Sequence, residues 1–208
     1  MGFSLEITIP NKNAPVILID GLYNELELTE MSLEINALYD VAVLPRDTGG
    51  ATYDDVLLKN TKGLFLDAHY EIDRSLSKCL TFNRRVFNQD TMLALEKTMP
   101  CFSLLTTSNK DNTLVTWYDD KTFYKTHRDG STLTFLTYFI ADSHRFSGGI
   151  LVFDDFDLEI KPEHGLTVLM LGSLRHSVTT VNSLTQDKQT PRIVMSQFVC
   201  HETRAPFN

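Results

Sequence analysis

FYKTHRDGSTLTF, residues 123–135, carries His127 and Asp129 two positions apart inside a run that otherwise reads as β-strand. Successive side chains of a strand alternate between its faces, so positions i and i+2 share a side with their Cα atoms roughly 6–7 Å apart. The imidazole and the carboxylate can therefore converge on one point. Two ligands do not complete a metal site, so the reading turns on what the rest of the chain brings to the same face.

Outward from this stretch the sequence is rich in short Val/Thr/Phe/Tyr runs. SLLTT, TLVTWY, TFYKTH, LTFLTYFIA, GILVF, FDLEI, LTVLML, HSVTTV and RIVMSQFV follow one another from Phe102 onward. Asn112, Asp142-Ser143, Gly148-Gly149, Pro162 to Gly165 and the polar loop Asn182 to Pro191 separate them as turn signals. About eight strands at this spacing predict a jelly roll or double-stranded β-helix, cupin-like, with a mouth that can hold a metal. Asp155, Asp157 and Glu159 alternate with Phe156, Leu158 and Ile160, the pattern of a half-buried strand with a wet acidic face rather than a calcium site.

Before this core the texture changes. Val16 to Ile19 is a short apolar strand closed by Asp20-Gly21. Met31, Ile35 and Leu38 recur at helical spacing in a helix predicted over Thr29 to Val41 with Thr29 as N-cap. A second helix is predicted from Thr91 to Met99 behind Asp90, stopped by Pro100. The fold class is β-rich α+β, with flanking N-terminal helices packed outside a sheet. No repeat or linker divides the chain, so residues 1–208 are read as one domain, with support over about 15–100 and the β core over about 102–203.

Composition narrows the function classes. With 42% hydrophobic and 22% charged residues, the chain can bury a core. A formal net charge of −8, from 27 acidic and 19 basic residues, repels a phosphate backbone, so no nucleic-acid partner is expected. Cys79, Cys101 and Cys200 are odd in number and widely spaced, which fits a reducing compartment better than a disulfide framework. MGFSLEITIPNKN lacks the pattern of a signal peptide and no apolar run reaches the length of a membrane span, so the expectation is a cytoplasmic protein without a membrane partner.

The third ligand should come from a distant strand. His176 opens HSVTTV, where His176, Val178 and Thr180 share a face. Two neutral imidazoles and one carboxylate form the facial triad that holds Fe(II) and leaves coordination positions open. Arg192 in RIVMSQFV follows the loop after the His176 strand, which predicts two antiparallel neighbours and an arginine pointing into the same cavity. Its guanidinium can grip a carboxylate through two parallel hydrogen bonds, and Ser196 on the same face adds a hydroxyl. Rival starts are His69-Tyr70-Glu71, read as surface structure, and His164 with Arg175 as its basic partner, set in a Pro/Gly turn.

This arrangement resembles the 2-oxoglutarate/Fe(II)-dependent oxygenases and, within them, the prolyl 4-hydroxylase family. The resemblance runs through YDDKTFYKTHRDGS, LTYFIADSHRFSGGILVF, IKPEHGLTVLMLGSLRHSVTTV and RIVMSQFV, and VILIDGLYNELELTEMSLEINAL is similar to the family's N-terminal strand and helix. It covers most of residues 15 to 200. Thr190-Pro191 departs from it, standing where the family often has a glycine, and the loop between His176 and Arg192 is long.

The resemblance implies iron ligation by His127, Asp129 and His176. It assigns the far carboxylate of 2-oxoglutarate to Arg192, as in the oxygen-sensing prolyl hydroxylases, with Tyr138 and Tyr118 beside the cosubstrate. It implies O2 as co-reactant, ascorbate as a candidate reductant, and decarboxylation of 2-oxoglutarate to succinate and CO2 coupled to hydroxylation. Asp129 favours hydroxylation further, since related halogenases carry a small residue there to admit halide. The implied substrate is a prolyl residue in a peptide or protein, with a free amino acid or small metabolite as the nearest variant.

Arg128, Trp117 and Tyr124 are the candidate substrate contacts, Trp117 being read as core or groove wall and Arg128 as facing solvent or substrate. Gly148-Gly149 is read as permitting a tight bend or close packing. Two other function classes stay open at the level of sequence: a cupin-like metal-dependent hydrolase or isomerase, which has no need of a carboxylate clamp at Arg192, and a non-catalytic metal-binding module. The substrate-facing loop Arg46 to Asn60 and the oligomeric state are not derivable from the residues alone.

Overall fold

The computed structural model describes residues 5–48, 52–53, 56–185 and 190–202. Parts of two stretches discussed above, the loop over Arg46 to Asn60 and the loop over Asn182 to Pro191, lie outside the described residues. In chain order the main strands are β1 (Glu6–Thr8), β2 (Val16–Asp20), β3 (Lys62–Phe65), β4 (Lys110–Tyr118), β5 (Tyr124–His127), β6 (Leu133–Phe139), β7 (Leu151–Phe153), β8 (Leu158–Ile160), β9 (Thr167–Leu171), β10 (His176–Val178) and β11 (Arg192–Cys200). Seven of them form one antiparallel sheet in the order β1-β2-β9-β6-β11-β4-β3, and four form a second in the order β8-β7-β10-β5.

The period-two alternation of β11 explains the layering. Ile193, Met195 and Val199 face outward into a core shared with Trp117, Phe135, Met31, Ile35 and Leu95, so the helices cover the outer side of the large sheet. Val194 faces inward and shares a second core with Tyr118, Leu136, Tyr138, Val168 and Met170 of the same sheet and with Leu151, Phe153, Ile160 and Val178 of the small one. The result is a β-sandwich whose inner faces meet, with helices on one outer side. The strand-rich double-stranded β-helix expectation holds.

Local expectations hold with four corrections. Helix α1 (Glu25–Ala37) starts earlier than predicted because Asn24, not Thr29, caps it. The Asn24 side chain accepts from the Glu27 backbone N–H at 3.0 Å while Glu27 Oε2 accepts from the Asn24 N–H at 2.9 Å, a reciprocal capping box. Thr29 lies inside the helix, its hydroxyl turned back on the Glu25 carbonyl. Helix α2 (Gln89–Thr98) ends before Pro100 as predicted, but SLLTT continues as helical turns, Leu104–Thr107, rather than a strand. Asp154–Phe156 is likewise a helical turn, with Asp157 left-handed at φ 49°, so only Leu158–Ile160 pairs as strand, and Asp155 binds Arg175 instead.

The fourth correction concerns how the site is assembled. The strands of His176 and Arg192 are not neighbours: β10 lies between β7 and β5 in the small sheet, and β11 between β6 and β4 in the large one. The connection crosses the sandwich, so His176 and Arg192 enter its interior from opposite sheets. Among the described residues no helix is long and apolar enough to cross a membrane.

Candidate metal centre

His127 ends β5 and His176 begins β10, and the two are direct cross-strand partners in the small sheet. Their ring centroids lie 4.2 Å apart. Asp129, just past the end of β5, completes the cluster: its carboxylate oxygens lie 3.7 Å from His127 Nε2 and 3.8 Å from His176 Nε2. One ligand atom from each of the three residues falls within 4.8 Å of the others.

Hydrogen bonds set which ring nitrogens face inward. His127 Nδ1 donates to the Lys125 carbonyl at 2.8 Å and His176 Nδ1 to the Leu174 carbonyl at 3.0 Å. With Nδ1 carrying the proton, each Nε2 presents a lone pair to the centre. The Asp129 backbone N–H donates to the Gly172 carbonyl at 2.8 Å, and Oδ2 accepts from the Thr134 hydroxyl at 2.7 Å, which itself meets Ser131 Oγ at 2.7 Å. Gly172 permits this approach, since a β-carbon there would lie 2.1 Å from the Ser131 carbonyl oxygen.

Burial sets the electrostatics. It pushes the His127 imidazolium down to a pKa of about 3, with the neighbouring His176 acting in the same direction, so His127 is neutral at physiological pH. Burial also raises the Asp129 carboxyl above its usual range, opposed by His176 and by the Thr134 hydrogen bond. Two imidazoles that present Nε2 to one point and a buried carboxylate without a cationic hydrogen-bond partner form a donor set suited to a divalent transition metal with open positions, and the residues therefore fit Fe(II).

A cavity of about 600 Å³ extends from this cluster between the sheets. Tyr118, Leu136, Val194 and Ser196 line it from the large sheet, and Leu151, Val178 and Tyr124 from the small one. The Tyr124 ring stacks on His127 with centroids 3.5 Å apart and planes 11° from parallel, fixing the imidazole's orientation. Arg192 is on the same face of β11 as Val194 and Ser196, is 1% exposed, and places its guanidinium carbon 4.1 Å from the Tyr118 ring and 5.1 Å from the Tyr138 ring. Its Nε and Nη1, and the Tyr138 hydroxyl, are buried without a hydrogen-bond partner among the described residues. The Tyr118 and Tyr138 hydroxyls are the guanidinium's polar neighbours and no carboxylate pairs with it among the described residues, and a buried guanidinium without a counter-ion is costly, so these donors point to an anion of matching geometry. They fit the far carboxylate of 2-oxoglutarate.

Tyr118, Tyr124, His127, Asp129, His176 and Ser196 thus line one cavity, and Arg192 and Tyr138 lie behind Tyr118 and Val194 in the inner core. Arg128 is exposed at the cavity's rim. Trp117 is the exception: it is fully buried on the opposite face of β4, edge-on to Tyr39 at 6.2 Å, and belongs to the helix-side core. Alternation decides this, because Tyr118 takes the inner face and its neighbour must take the outer one. His69 and Glu71 are exposed, and His164, also exposed, accepts from the Ile140 N–H away from the cluster. Gly148 and Gly149 have φ of 75° and 66°, and a β-carbon on Gly149 would lie 2.7 Å from Arg192 Cδ, so this turn seats the arginine. Thr134 and Lys59, which also line or support the site, carry no sequence signal: a threonine in a strand and a lysine in a polar connection are unremarkable in themselves.

No family model matches the sequence and no curated protein does. Solved structures do match the fold. A Pseudomonas putida prolyl-4-hydroxylase aligns with TM-score 0.61 at 11% identity over 91% of this chain and 94% of that one. A Trichoplax adhaerens prolyl hydroxylase, in complex with a hypoxia inducible factor oxygen degradation domain peptide fragment, aligns with TM-score 0.60 at 13% identity over 90% and 84%. The viral collagen prolyl hydroxylase of Paramecium Bursaria Chlorella virus-1, in its 2OG complex, aligns with TM-score 0.53 at 16% identity over 89% and 95%. The chain has the double-stranded β-helix fold of these prolyl hydroxylases.

Proposed function

We propose that the protein is an Fe(II)- and 2-oxoglutarate-dependent dioxygenase that hydroxylates a prolyl residue of a peptide or protein substrate. The observation that carries this reading is the buried Arg192 guanidinium, which has two nitrogens without a hydrogen-bond partner and no paired carboxylate among the described residues, in the sandwich that also holds His127, Asp129 and His176. A hydrolase or isomerase on the same scaffold has no need of that clamp. Fold similarity to enzymes of this chemistry supports the reading and does not by itself assign a substrate.

His127, Asp129 and His176 would hold the ferrous ion, and Arg192 with the Tyr118 and Tyr138 hydroxyls would hold the far carboxylate of the cosubstrate. When bound, the ion and cosubstrate supply the oxidising chemistry: 2-oxoglutarate and O2 become succinate and CO2, and one oxygen atom enters a substrate C–H bond. The chain contributes position and exclusion of water. Tyr124 and the two Nδ1–H donors keep the imidazoles oriented, Thr134 orients Asp129, and Leu136, Leu151, Val178 and Val194 keep the reacting volume apolar. Ascorbate is the candidate reductant for restoring ferrous iron. A cytoplasmic location is proposed, in keeping with three free thiols.

Purified protein is to be incubated with Fe(II), 2-oxoglutarate, O2 and a proline-containing peptide library, with and without ascorbate. Succinate together with a peptide mass gain of one oxygen atom supports the proposal. Succinate without peptide modification retains the class and discards the prolyl assignment, and absence of succinate discards the class.

A further inference from the structure

Lys59 lines the same cavity as the three ligands and is 4% exposed. Among the described residues it has no hydrogen-bond or ion-pair partner; its contact is with the face of Tyr124, 5.3 Å from the ring centroid, and Tyr124 in turn stacks on His127. Its position is held by the backbone. Lys59 bridges antiparallel to Tyr124, the Lys125 N–H donates to the Leu58 carbonyl at 2.7 Å, and the Asn60 side chain accepts from the Phe123 N–H at 2.9 Å and donates to the Lys121 carbonyl at 3.1 Å. The ammonium is thus held beside the metal cluster, on a different wall from Arg192.

The charge of Asp129 acts on this cation across the cavity without an ion-pair contact, and ligation of a metal would take that charge away. A divalent ion and Arg192 would together offset Asp129 and a dianionic cosubstrate, and imidazoles that ligate a metal carry no charge, which leaves Lys59 without a counter-ion. Lys110 at the mouth already pairs with Glu202 at 2.9 Å, and Arg128 is in solvent at the rim. A buried ammonium without an anion is unfavourable, and one point charge among Tyr124, Phe65 and Leu114 suits a monoanion better than a phosphate, which takes several donors.

Resting on the dioxygenase reading, we propose that Lys59 binds the carboxylate of the primary substrate, which for a peptide substrate is that of the C-terminal residue rather than an internal one, a free amino acid being the other source of the same carboxylate. Such a contact would fix the distance between the carboxylate and the C–H bond presented to the metal, and would select against amides and internal peptide positions.

The test is calorimetric titration of protein loaded with Mn(II) and 2-oxoglutarate, with free amino acids and peptides ending in the same residues, each against its C-terminal amide. The acid is expected to bind about ten- to a hundredfold tighter than the amide, the gain of one charge-assisted hydrogen bond. Lys59→Met is expected to abolish that preference, Lys59→Arg to retain part of it, and both to leave 2-oxoglutarate binding unchanged. Preference among free amino acids only, or among peptides only, identifies the source of the carboxylate. Equal binding of acid and amide, or binding of neither, overturns the proposal while the dioxygenase reading stands. Failure of 2-oxoglutarate to bind the Mn(II)-loaded protein overturns that reading, and this inference with it.

Discussion

Gly149 packs directly against the Arg192 side chain. A β-carbon at Gly149 would lie 2.7 Å from Arg192 Cδ and 3.2 Å from Nε, and the glycine's φ of 66° disfavours any L side chain. Gly149→Ala is therefore expected to displace the guanidinium from its seat between Tyr118 and Tyr138. With strain of roughly 1–3 kcal/mol at such a position, the prediction is a lower melting temperature and about a tenfold or greater loss of 2-oxoglutarate affinity, with metal affinity retained. Calorimetry with each ligand separates the two effects. Unchanged cosubstrate binding in a folded variant would refute the seating role.

Thr134 would act on a bound metal through Asp129. Its hydroxyl donates to Asp129 Oδ2 at 2.7 Å, so Thr134→Val removes that hydrogen bond while keeping shape. Loss of such an orienting partner is expected to weaken metal binding about ten- to a hundredfold. A chelator competition against Mn(II) checks this. Wild-type affinity in the valine variant would show that the aspartate is oriented by its backbone contact to Gly172 alone.

Lys59 also makes a stability prediction. Burial lowers its pKa from 10.5 to about 8, with the Asp129 charge opposing the shift. The folded state releases this proton earlier than the unfolded chain, so the unfolded state binds more protons between about pH 8 and 10.5 and stability rises with pH across that window. Below pH 8 the full penalty is present. In the absence of substrate, Lys59→Met is expected to stabilise the protein at pH 7 by about 1–3 kcal/mol and to remove the rise at alkaline pH. Urea titrations at both pH values measure it, and a destabilised methionine variant at pH 7 would contradict the origin assigned to the penalty.

The capping box of α1 is far from the chemistry. Asn24→Ala is expected to lower stability by about 1 kcal/mol and leave ligand binding unaltered. A denaturation midpoint shift with unchanged 2-oxoglutarate calorimetry is the expected pair of results.

The strands and the candidate metal cluster are legible because their signals are local. Alternation within LTFLTYF and RIVMSQFV marks strands, and the i, i+2 spacing of His127 and Asp129 places both head groups at one strand end. The differences have causes close in sequence at α1, at Leu104–Thr107 and at Trp117, and a non-local cause at His176 and Arg192. Asn24 outranks Thr29 as N-cap because Glu27 completes a reciprocal pair. Leu104–Thr107 is β-prone in composition yet lies in helical turns after Pro100. Trp117 is core, in keeping with one of its readings, and not a substrate contact, because Tyr118 beside it holds the inner face. Chain order made His176 and Arg192 look like paired strands, whereas the intervening loop crosses between sheets. Lys59 was invisible because nothing in a polar connection signals that three neighbouring hydrogen bonds will hold it beside Tyr124.

The account rests on a metal at His127, Asp129 and His176 acting together with an anion seat at Arg192. Titration of 2-oxoglutarate into wild-type, Asp129→Ala and Arg192→Met proteins, each with and without Mn(II), tests both halves at once. The account predicts binding that requires the metal in the wild type and falls by about a hundredfold or more in each variant. Binding that persists without metal, or that survives either substitution at wild-type strength, would contradict it.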